Sequence, residues 1–181
     1  MMRALLAWMT RRLPAPRVVY DRMGESPYLS RYYLVGRTRA EEEDPRESPR
    51  RTARGVLLPA RDHGCYLHHF HRGDDELELH SHPWAWSLSL ILAGGYIEER
   101  RFGAHVVRRT MRPWRLNYIG ANDFHRVELL EHDCWTLFLT GPKIAGWGFW
   151  NKDTERFLPW RQFIRELRDP GEPRAKLRRV R

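Results

Sequence analysis

A short segment in the middle of the chain constrains the fold more than any other, because its side chains alternate with a period of two. His80 and His82 are two residues apart, and side chains at that spacing point to the same face of a β-strand. The segment continues as a strand with large apolar side chains on one face: Trp84, Trp86, Leu88, Leu90 and Leu92. A turn is then predicted at Gly94 and Gly95. We therefore expect a buried strand that begins at a pair of imidazoles.

A third histidine follows another group of turn-forming residues. Residues 120–123 read Gly-Ala-Asn-Asp, and His125 opens a strand-like run that extends to Leu130. Imidazole is a suitable ligand for iron, zinc, copper and nickel. If His125 lies on a neighbouring strand, then His80, His82 and His125 form one metal site with open coordination positions. The alternative is that these residues do not bind a metal and the protein is a binding shell without catalysis.

At these residues the chain resembles the cupin superfamily. The first cupin motif has a His-x-His pair, then a Glu a few residues later and then a Gly. His80 and His82 match the pair, Gly94 matches the Gly, and Ser87 stands where the Glu would be. The absent Glu makes the site resemble that of the three-histidine cupins, which include the thiol dioxygenases and some diketone dioxygenases. The resemblance covers about residues 63–140.

The second cupin motif, Pro-x-Gly-x-x-His, is matched only in part by residues 120–125. Gly120 replaces the Pro, and Asn122 replaces the Gly. The second replacement is tolerable because Asn adopts positive φ more readily than most residues. His125 stands in the position of the motif's histidine.

Short strands separated by turn signals predict an all-β sandwich or barrel. The expected strands cover 28–35, 56–58, 64–71, 77–92, 96–102, 106–111, 116–119, 125–130, 134–139 and 146–150, and helices are expected over 1–10 and 159–168. The resemblance implies the same architecture, a cupin-type double-stranded β-helix or jelly-roll barrel. Short helical segments are therefore expected at both ends of the chain.

The expected organisation is an N-terminal arm over 1–27, a β-barrel over 28–150, and a C-terminal helix with a basic tail over 151–181. Residues 38–54 are charged and interrupted by Pro, so they cannot form a core and we expect a mobile loop. A lid over the site is another reading of that loop. The basic tail, residues 174–181, is expected to be disordered.

The composition limits the classes of partner. The formal net charge is +9, which suggests nucleic acid, but no nucleic-acid motif is present and the basic residues are spread along the chain. We therefore regard nucleic acid as an unlikely partner. Cys65 and Cys134 are the only cysteines, which gives no disulfide framework and favours a reducing compartment. Because no segment has the length and apolarity of a membrane span, a cytoplasmic protein is expected.

Tyr96 and Glu98 are the candidate catalytic residues. They share a strand face beyond the turn at Gly94. Pairing across that turn predicts that Glu98 lies nearer Leu90 than Ser87, so we expect it to support the metal site or bind substrate and not to act as a fourth ligand.

Other polar residues near the motif are less informative. His68 lies on one face of its predicted strand, and His69 and His71 lie on the other, so either face offers a histidine to the site. Arg100 and Arg108 are placed to reach an anionic group, whereas Arg126 should point away from the site.

A neutral three-histidine site leaves a divalent ion with its full charge and favours an anionic substrate. The function expected is therefore an iron(II)-dependent dioxygenase, with Fe(II) as the metal and Zn, Mn or Ni as alternatives. A non-redox metal cupin is the runner-up, namely an isomerase, epimerase or lyase on a sugar or small acid, followed by a non-catalytic small-molecule-binding cupin. A homodimer is expected, since cupins often dimerise.

Overall fold

The computed structural model of the protein describes residues 1–21, 25–35, 50–51, 57–58, 63–74, 78–152 and 154–168. The segment 38–54, expected to be a mobile loop, lies outside the described residues except for Arg50 and Arg51, and the basic tail lies outside them as well. Within the described part, no helix is long and apolar enough to span a membrane.

Most of the described residues lie in strands. The elements in chain order are α1 (Met2–Thr10), β1 (Arg17–Tyr20), β2 (Pro27–Val35), β3 (Arg50–Arg51), β4 (Leu57–Leu58), β5 (Gly64–Phe70), β6 (Leu79–His80), β7 (Trp86–Ala93), β8 (Tyr96–Phe102), β9 (His105–Met111), β10 (Leu116–Gly120), β11 (His125–Leu129), β12 (Cys134–Thr140), β13 (Gly148–Asn151), β14 (Arg156–Pro159) and α2 (Trp160–Arg168). The expectation of an all-β protein with a short helix at each end is confirmed.

The strands form two antiparallel six-stranded sheets. The first sheet has the order β1-β2-β5-β12-β7-β10, the second has the order β14-β13-β6-β11-β8-β9, and β3 and β4 pair separately. Pairing is nested along the chain: β5 pairs with β12, β6 with β11, β7 with β10, and β8 with β9. A long hairpin folded over in this way into two sheets is a jelly roll, the architecture shared by cupins. The predicted jelly-roll fold is therefore confirmed.

Three strands lie outside the predicted set, namely the two-residue β3, which falls in the segment expected to be a loop, and the longer β1 and β14. β1 is a four-residue strand that pairs with β2, and β14 is a four-residue strand that pairs with β13. Their segments are short, rich in Arg and close to Pro, so neither shows an alternation long enough to be recognised. Both strands extend the sheets at one side of the barrel.

The face of β7 that is buried most deeply is the opposite of the one expected. Ser87 and Ile91 are fully buried and Ser89 is nearly so, whereas Leu88 and Leu90 on the alternate face are only partly buried. The reason lies in the neighbours across the sheet. Ser87 is opposite Thr140, and the interior of the barrel near this end is polar. The apolar periodicity therefore identifies the strand but assigns the wrong face to the interior.

The helix α1 packs on the outer side of the first sheet. Leu6 is buried against Leu67, Ala93 and Trp135. The turn after β7 is close to the same region: Gly94 has a φ of +72°, and a Cβ there would collide with the carbonyl oxygen of Asp133. Glycine is required at this position both for the backbone conformation and for the space.

The helix α2 packs against β13 of the second sheet. Phe163 is buried and stacks on Phe149 of β13, with ring centroids 4.0 Å apart. Phe149 is the Cα partner of His80 on β6. The C-terminal helix therefore packs on the strand next to the first histidine of the motif.

Candidate metal centre

The barrel brings His80, His82 and His125 together. His80 ends β6, His82 lies in the connection to β7, and His125 begins β11. His80 and His125 are direct partners across the β6–β11 pair, so their side chains share one face of the second sheet. The expectation that the strand from His125 is a neighbour of the motif strand is correct.

The three imidazoles converge on one point. One ring nitrogen of each lies within 4.8 Å of the others, and this is the only such histidine, cysteine and carboxylate group found among the described residues. Nε2 of His82 lies 2.8 Å from Nε2 of His125. Two nitrogens bound to one ion at about 2.0–2.1 Å in adjacent positions lie about 3 Å apart. The distance between these two nitrogens is therefore close to that of two imidazole nitrogens bound to the same metal ion.

Burial keeps two of these rings uncharged. It lowers the pKa of His80 to about 4, although the carboxylate of Asp74 acts in the opposite direction. Burial also holds the pKa of His82 well below its usual value, and the neighbouring His125 and His80 lower it further. A metal requires the neutral imidazole as its ligand. At neutral pH these two rings therefore need to lose no proton before an ion binds.

Glu98 contacts the third histidine from within the barrel. The Nδ1–H of His125 donates to Oε1 of Glu98 at 2.9 Å, and Glu98 is fully buried. An ionised carboxylate only accepts hydrogen bonds, so the ring proton of His125 must lie on Nδ1. The lone pair of Nε2 is then directed toward His82 and the centre of the cluster. A carboxylate bonded to the outer nitrogen of a metal-ligating histidine is a common supporting arrangement.

A buried polar network holds the Glu98 carboxylate. Arg100 donates to its Oε1 at 2.7 Å, and Arg109 donates to its Oε2 at 2.5 Å. The Nδ2 of Asn117 also donates to Oε1, at 2.9 Å. Burial alone would raise the pKa of Glu98, but the hydrogen bonds from His125 and Asn117 and the charge of Arg100 outweigh it and hold the pKa well below the usual range. Glu98 is therefore an anion.

Tyr96 belongs to the same network. Its hydroxyl accepts a hydrogen bond from Nδ2 of Asn117 at 3.1 Å, and burial raises its pKa, so it carries its proton at neutral pH. Asn117 links Tyr96 to Glu98 but lies in no motif. A sequence signal for it exists only in the alternation of β10, where Asn117 and Ile119 are buried and Leu116 and Tyr118 are exposed.

The strand pairing predicted for Glu98 was wrong, although Glu98 does lie beside the site. A hairpin between β7 and β8 was expected, but these strands belong to different sheets. Glu98 is instead opposite Val127 of β11 and Arg109 of β9. The reason is that a jelly roll passes from one sheet to the other at the turn after Gly94, which local turn chemistry does not reveal.

Ser87 occupies the position where the resemblance would place a carboxylate. Its side chain is fully buried, and its Oγ has no hydrogen-bond partner among the described residues. A neutral hydroxyl is a poor ligand for a divalent ion. The donor set that the structure brings together is therefore three imidazoles, which fit iron, zinc, copper or nickel.

Asp74 supports the first histidine less directly. Its Oδ2 lies 3.7 Å from Nδ1 of His80, which exceeds hydrogen-bond distance. The carboxylate is fixed by the hydroxyl of Tyr28 at 2.7 Å and the backbone N–H of Val127 at 2.6 Å. It lies between two predicted strands, where an Asp is ordinary, so the sequence offers no signal for this contact.

Three more histidines lie in or directly after β5, and all three are outside the cluster. His68 is buried in the barrel, where it stacks on Phe138 at 4.8 Å and its Nε2 accepts from Nε of Arg31 at 3.0 Å. His69 contacts Asp133 on the outer side. His71 is within hydrogen-bond distance of Ser30. The face that carries His68 is therefore the one that faces the barrel interior.

The structure also distinguishes the arginines. Arg100 is buried beside Glu98, whereas Arg108 is half-exposed and pairs with Glu128 at 3.2 Å. Arg126 pairs with Glu99 at 3.2 Å on the opposite face of β11 from His125, as expected. Of these arginines, only Arg100 lies next to the histidine cluster.

No family model matches the chain, and no curated protein matches it. Among solved structures, hydroxypropylphosphonic acid epoxidase from S. wedmorenis is 7% identical, with 69% of this chain and 55% of that chain covered and a TM-score of 0.45. KdgF from Halomonas sp. is 15% identical, with 66% and 85% covered and a TM-score of 0.41. A cupin superfamily protein from Desulfitobacterium hafniense is 16% identical, with 49% and 74% covered and a TM-score of 0.38.

The chain spans about half the length of the first solved structures it matches. The resemblance to a family rests instead on two features of the chain itself. These are the nested pairing of β5 to β12 and the convergence of one nitrogen from each of His80, His82 and His125. On this basis the chain has a cupin-type jelly roll and resembles the three-histidine metal cupins.

Proposed function

We propose that this protein is an iron(II)-dependent dioxygenase that acts on a small anionic substrate bound inside the barrel. The observation that carries the proposal is the convergence of three imidazoles, that of His125 buried and those of His80 and His82 partly buried, with no carboxylate at Ser87. Iron(II) held by His80, His82 and His125 would supply the dioxygen chemistry. The residues around it bind and orient the substrate.

Charge is the reason to prefer an anionic substrate. Three imidazoles and a serine hydroxyl contribute no negative charge to a divalent ion. Arg31 adds a positive charge near the cluster: after burial, which is the larger cause, it contributes to the lowered pKa of both His68 and His82. A substrate with an acidic group would reduce this excess of positive charge, and a neutral analogue would not.

The walls near the cluster suit a substrate that also has an apolar part. Trp84 stacks beside His82, and Phe138 lies on another side of that ring, with centroids 5.6 and 5.9 Å away. Ligand sites are commonly apolar with a few fixed polar groups. We propose Tyr96 and Glu98 as the polar groups: Tyr96 as a protonated hydrogen-bond donor and Glu98 as an anion acting through His125.

The test is the metal content of protein expressed without a histidine tag. We expect one equivalent of iron in wild-type protein prepared without oxygen, and little in His80→Ala or His82→Ala, because two imidazoles hold a divalent ion far less well than three. His69→Ala is the matched control, since His69 contacts a carboxylate outside the cluster. Full metal content in either cluster variant would contradict the three-histidine site.

Oxygen uptake separates the reactions open to such a site. Iron-loaded protein should consume oxygen with a subset of small carboxylic acids and not with the matched amides. Zinc or manganese as the only metal retained, without oxygen uptake, would point to the isomerase, epimerase or lyase. The homodimer and the absence of nucleic-acid binding stay predictions, which light scattering and a salt-dependent binding assay test.

A further inference from the structure

The third histidine must be held in the right tautomer to bind the metal, and this requirement rests on the proposed metal site. His125 has two ring nitrogens with different surroundings. Nε2 lies 2.8 Å from Nε2 of His82, and Nδ1 lies 2.9 Å from Oε1 of Glu98. The ring can serve as a ligand through Nε2 only when its proton resides on Nδ1. The group bonded to Nδ1 therefore decides whether His125 is a competent ligand.

We propose that Glu98 is a positioning residue that fixes the tautomer and orientation of His125, and that it takes over the part which a carboxylate at the position of Ser87 would play as a ligand. Of the carboxylates in the described part of the chain, it alone has an oxygen within hydrogen-bond distance of a ring in the cluster. It reaches the cluster from β8, in the same sheet as His80 and His125. Its influence on the ion passes through one imidazole.

The arginines beside Glu98 have a definite part in this arrangement. Their hydrogen bonds fix the carboxylate in one position, with its Oε1 facing Nδ1 of His125 at 2.9 Å. Arg100 and Arg109 bond to different oxygens of Glu98, so each oxygen has a cationic donor. They hold Oε1 of Glu98 at the position where Nδ1 of His125 needs an acceptor.

Asn117 and the backbone fix the network from the facing strand. Asn117 donates to Glu98, and its Oδ1 accepts from Arg100 at 2.8 Å. Arg100 also donates to the backbone carbonyl of Tyr118 at 2.6 Å. Both Asn117 and Tyr118 lie on β10 of the first sheet, so the network joins the two sheets behind His125. These fixed contacts suit a carboxylate that positions His125 and do not suit one that transfers protons.

The first experiment needs no variant. Nitrogen-15 NMR of histidine-labelled protein without metal should show His125 protonated on Nδ1 and unprotonated on Nε2. A ring protonated on Nε2 alone would overturn the proposal. This measurement tests the positioning role without any metal present. A wild-type protein that binds no metal would count against the proposed function, and the tautomer of His125 would still be judged by the NMR result.

The second experiment uses metal affinity. Titration with zinc(II) alone should show that Glu98→Gln binds about 10–100-fold more weakly than wild type, the range typical for loss of a carboxylate behind a ligating histidine. Asp133→Asn is the matched control and should bind as wild type. Equal affinity of folded Glu98→Gln and wild type would overturn the proposal.

A carboxylate moved to position 87 provides a rescue that a merely structural Glu98 would not show. Ser87→Glu introduced into Glu98→Gln should recover most of the lost zinc affinity, because a direct ligand replaces the indirect support. If Glu98→Gln does not fold, Arg109→Met replaces it, since Arg109 is at the edge of the network and 40% exposed. Arg109→Met should weaken zinc binding several-fold, and unchanged affinity in that variant would contradict the role assigned to the network.

Discussion

Two carboxylates in this molecule have similar partners and different surroundings. Glu98 inside the barrel accepts hydrogen bonds from His125 and from two arginines. Asp133 on the outer side of the first sheet accepts from Nε2 of His69 at 3.0 Å and from Nε of Arg3 at 2.7 Å. Each is therefore a carboxylate that joins a histidine to an arginine.

The histidine nitrogen that meets the carboxylate differs between the two regions. His125 uses Nδ1 and keeps Nε2 for the cluster, whereas His69 uses Nε2 for Asp133 and stacks flat on Trp135, with centroids 3.8 Å apart. Asp133 also retains 13% exposure, and its arginine comes from α1. The same residue types thus support a metal ligand in one place and anchor a helix in the other, and the direction of the second ring nitrogen decides which.

The largest difference between the two regions is expected in metal binding. His125→Ala should reduce the affinity for zinc(II) by more than about 100-fold, because loss of a ligand should exceed the loss of its supporting carboxylate. His69→Ala should change it less than about twofold. Calorimetric titration of both variants measures the difference. Similar losses in the two would mean that the regions are not distinct in function.

The next effect is on stability. Glu98→Ala should lower the free energy of unfolding by about 3–5 kcal/mol, because it leaves two arginines beside an empty buried position. Asp133→Ala should cost about 1–3 kcal/mol, since water reaches some of its partners. Urea unfolding followed by tryptophan fluorescence gives both values. A larger loss for Asp133→Ala would show that burial does not set the ranking.

The outer carboxylate should also show its charge in the pH dependence of stability. Burial tends to raise the pKa of Asp133, but hydrogen bonds from Arg3, His69 and Trp135 outweigh it, and the pKa in the folded state lies below its usual value. Its contribution is therefore present above the unfolded pKa of about 3.9 and is lost as the pH falls through the folded value. The stability difference between wild type and Asp133→Asn should shrink below about pH 4. A difference that persisted at still lower pH would assign the effect to shape and not to charge.

The smallest effect is expected at the helix end of the outer network. Arg3 is about one-third exposed and bonds to both Asp133 and Glu131. Arg3→Ala should cost no more than about 1 kcal/mol, as is usual for ion pairs near the surface. Hydrogen exchange should rise in α1 while the barrel strands keep their protection. Faster exchange in β11 would show that the two regions are coupled.

The histidine cluster could be predicted from the sequence because its information is local. His80 and His82 are two residues apart, so they stay close in space, although the expected single strand from this pair into β7 is wrong and only His80 lies in a strand. His125 was found through its motif. Glu98 could be identified as a candidate, but its contact could not, because that contact depends on which sheet β8 joins.

Burial was harder to predict than the presence of strands. The leucines of β7 indicate a strand but not which face lines the barrel, where Ser87, Thr140 and Asn117 are buried instead. A polar interior has no periodic apolar signal. The short strands β1 and β14 escaped prediction because four residues give too few alternations. Local pattern therefore located the site, and the tertiary pairing determined its supporting contacts.

The nested order of strands has a consequence for the time course of folding. The β8–β9 hairpin closes the shortest loop, and each pair outside it, β7–β10, β6–β11 and β5–β12, closes a longer one. Contacts between residues far apart in sequence form slowly. His80 and His125 meet in β6–β11, so the cluster assembles after the inner pairs. If an ion binds only once all three imidazoles have met in the native barrel, it lengthens the lifetime of the native state more than it accelerates folding.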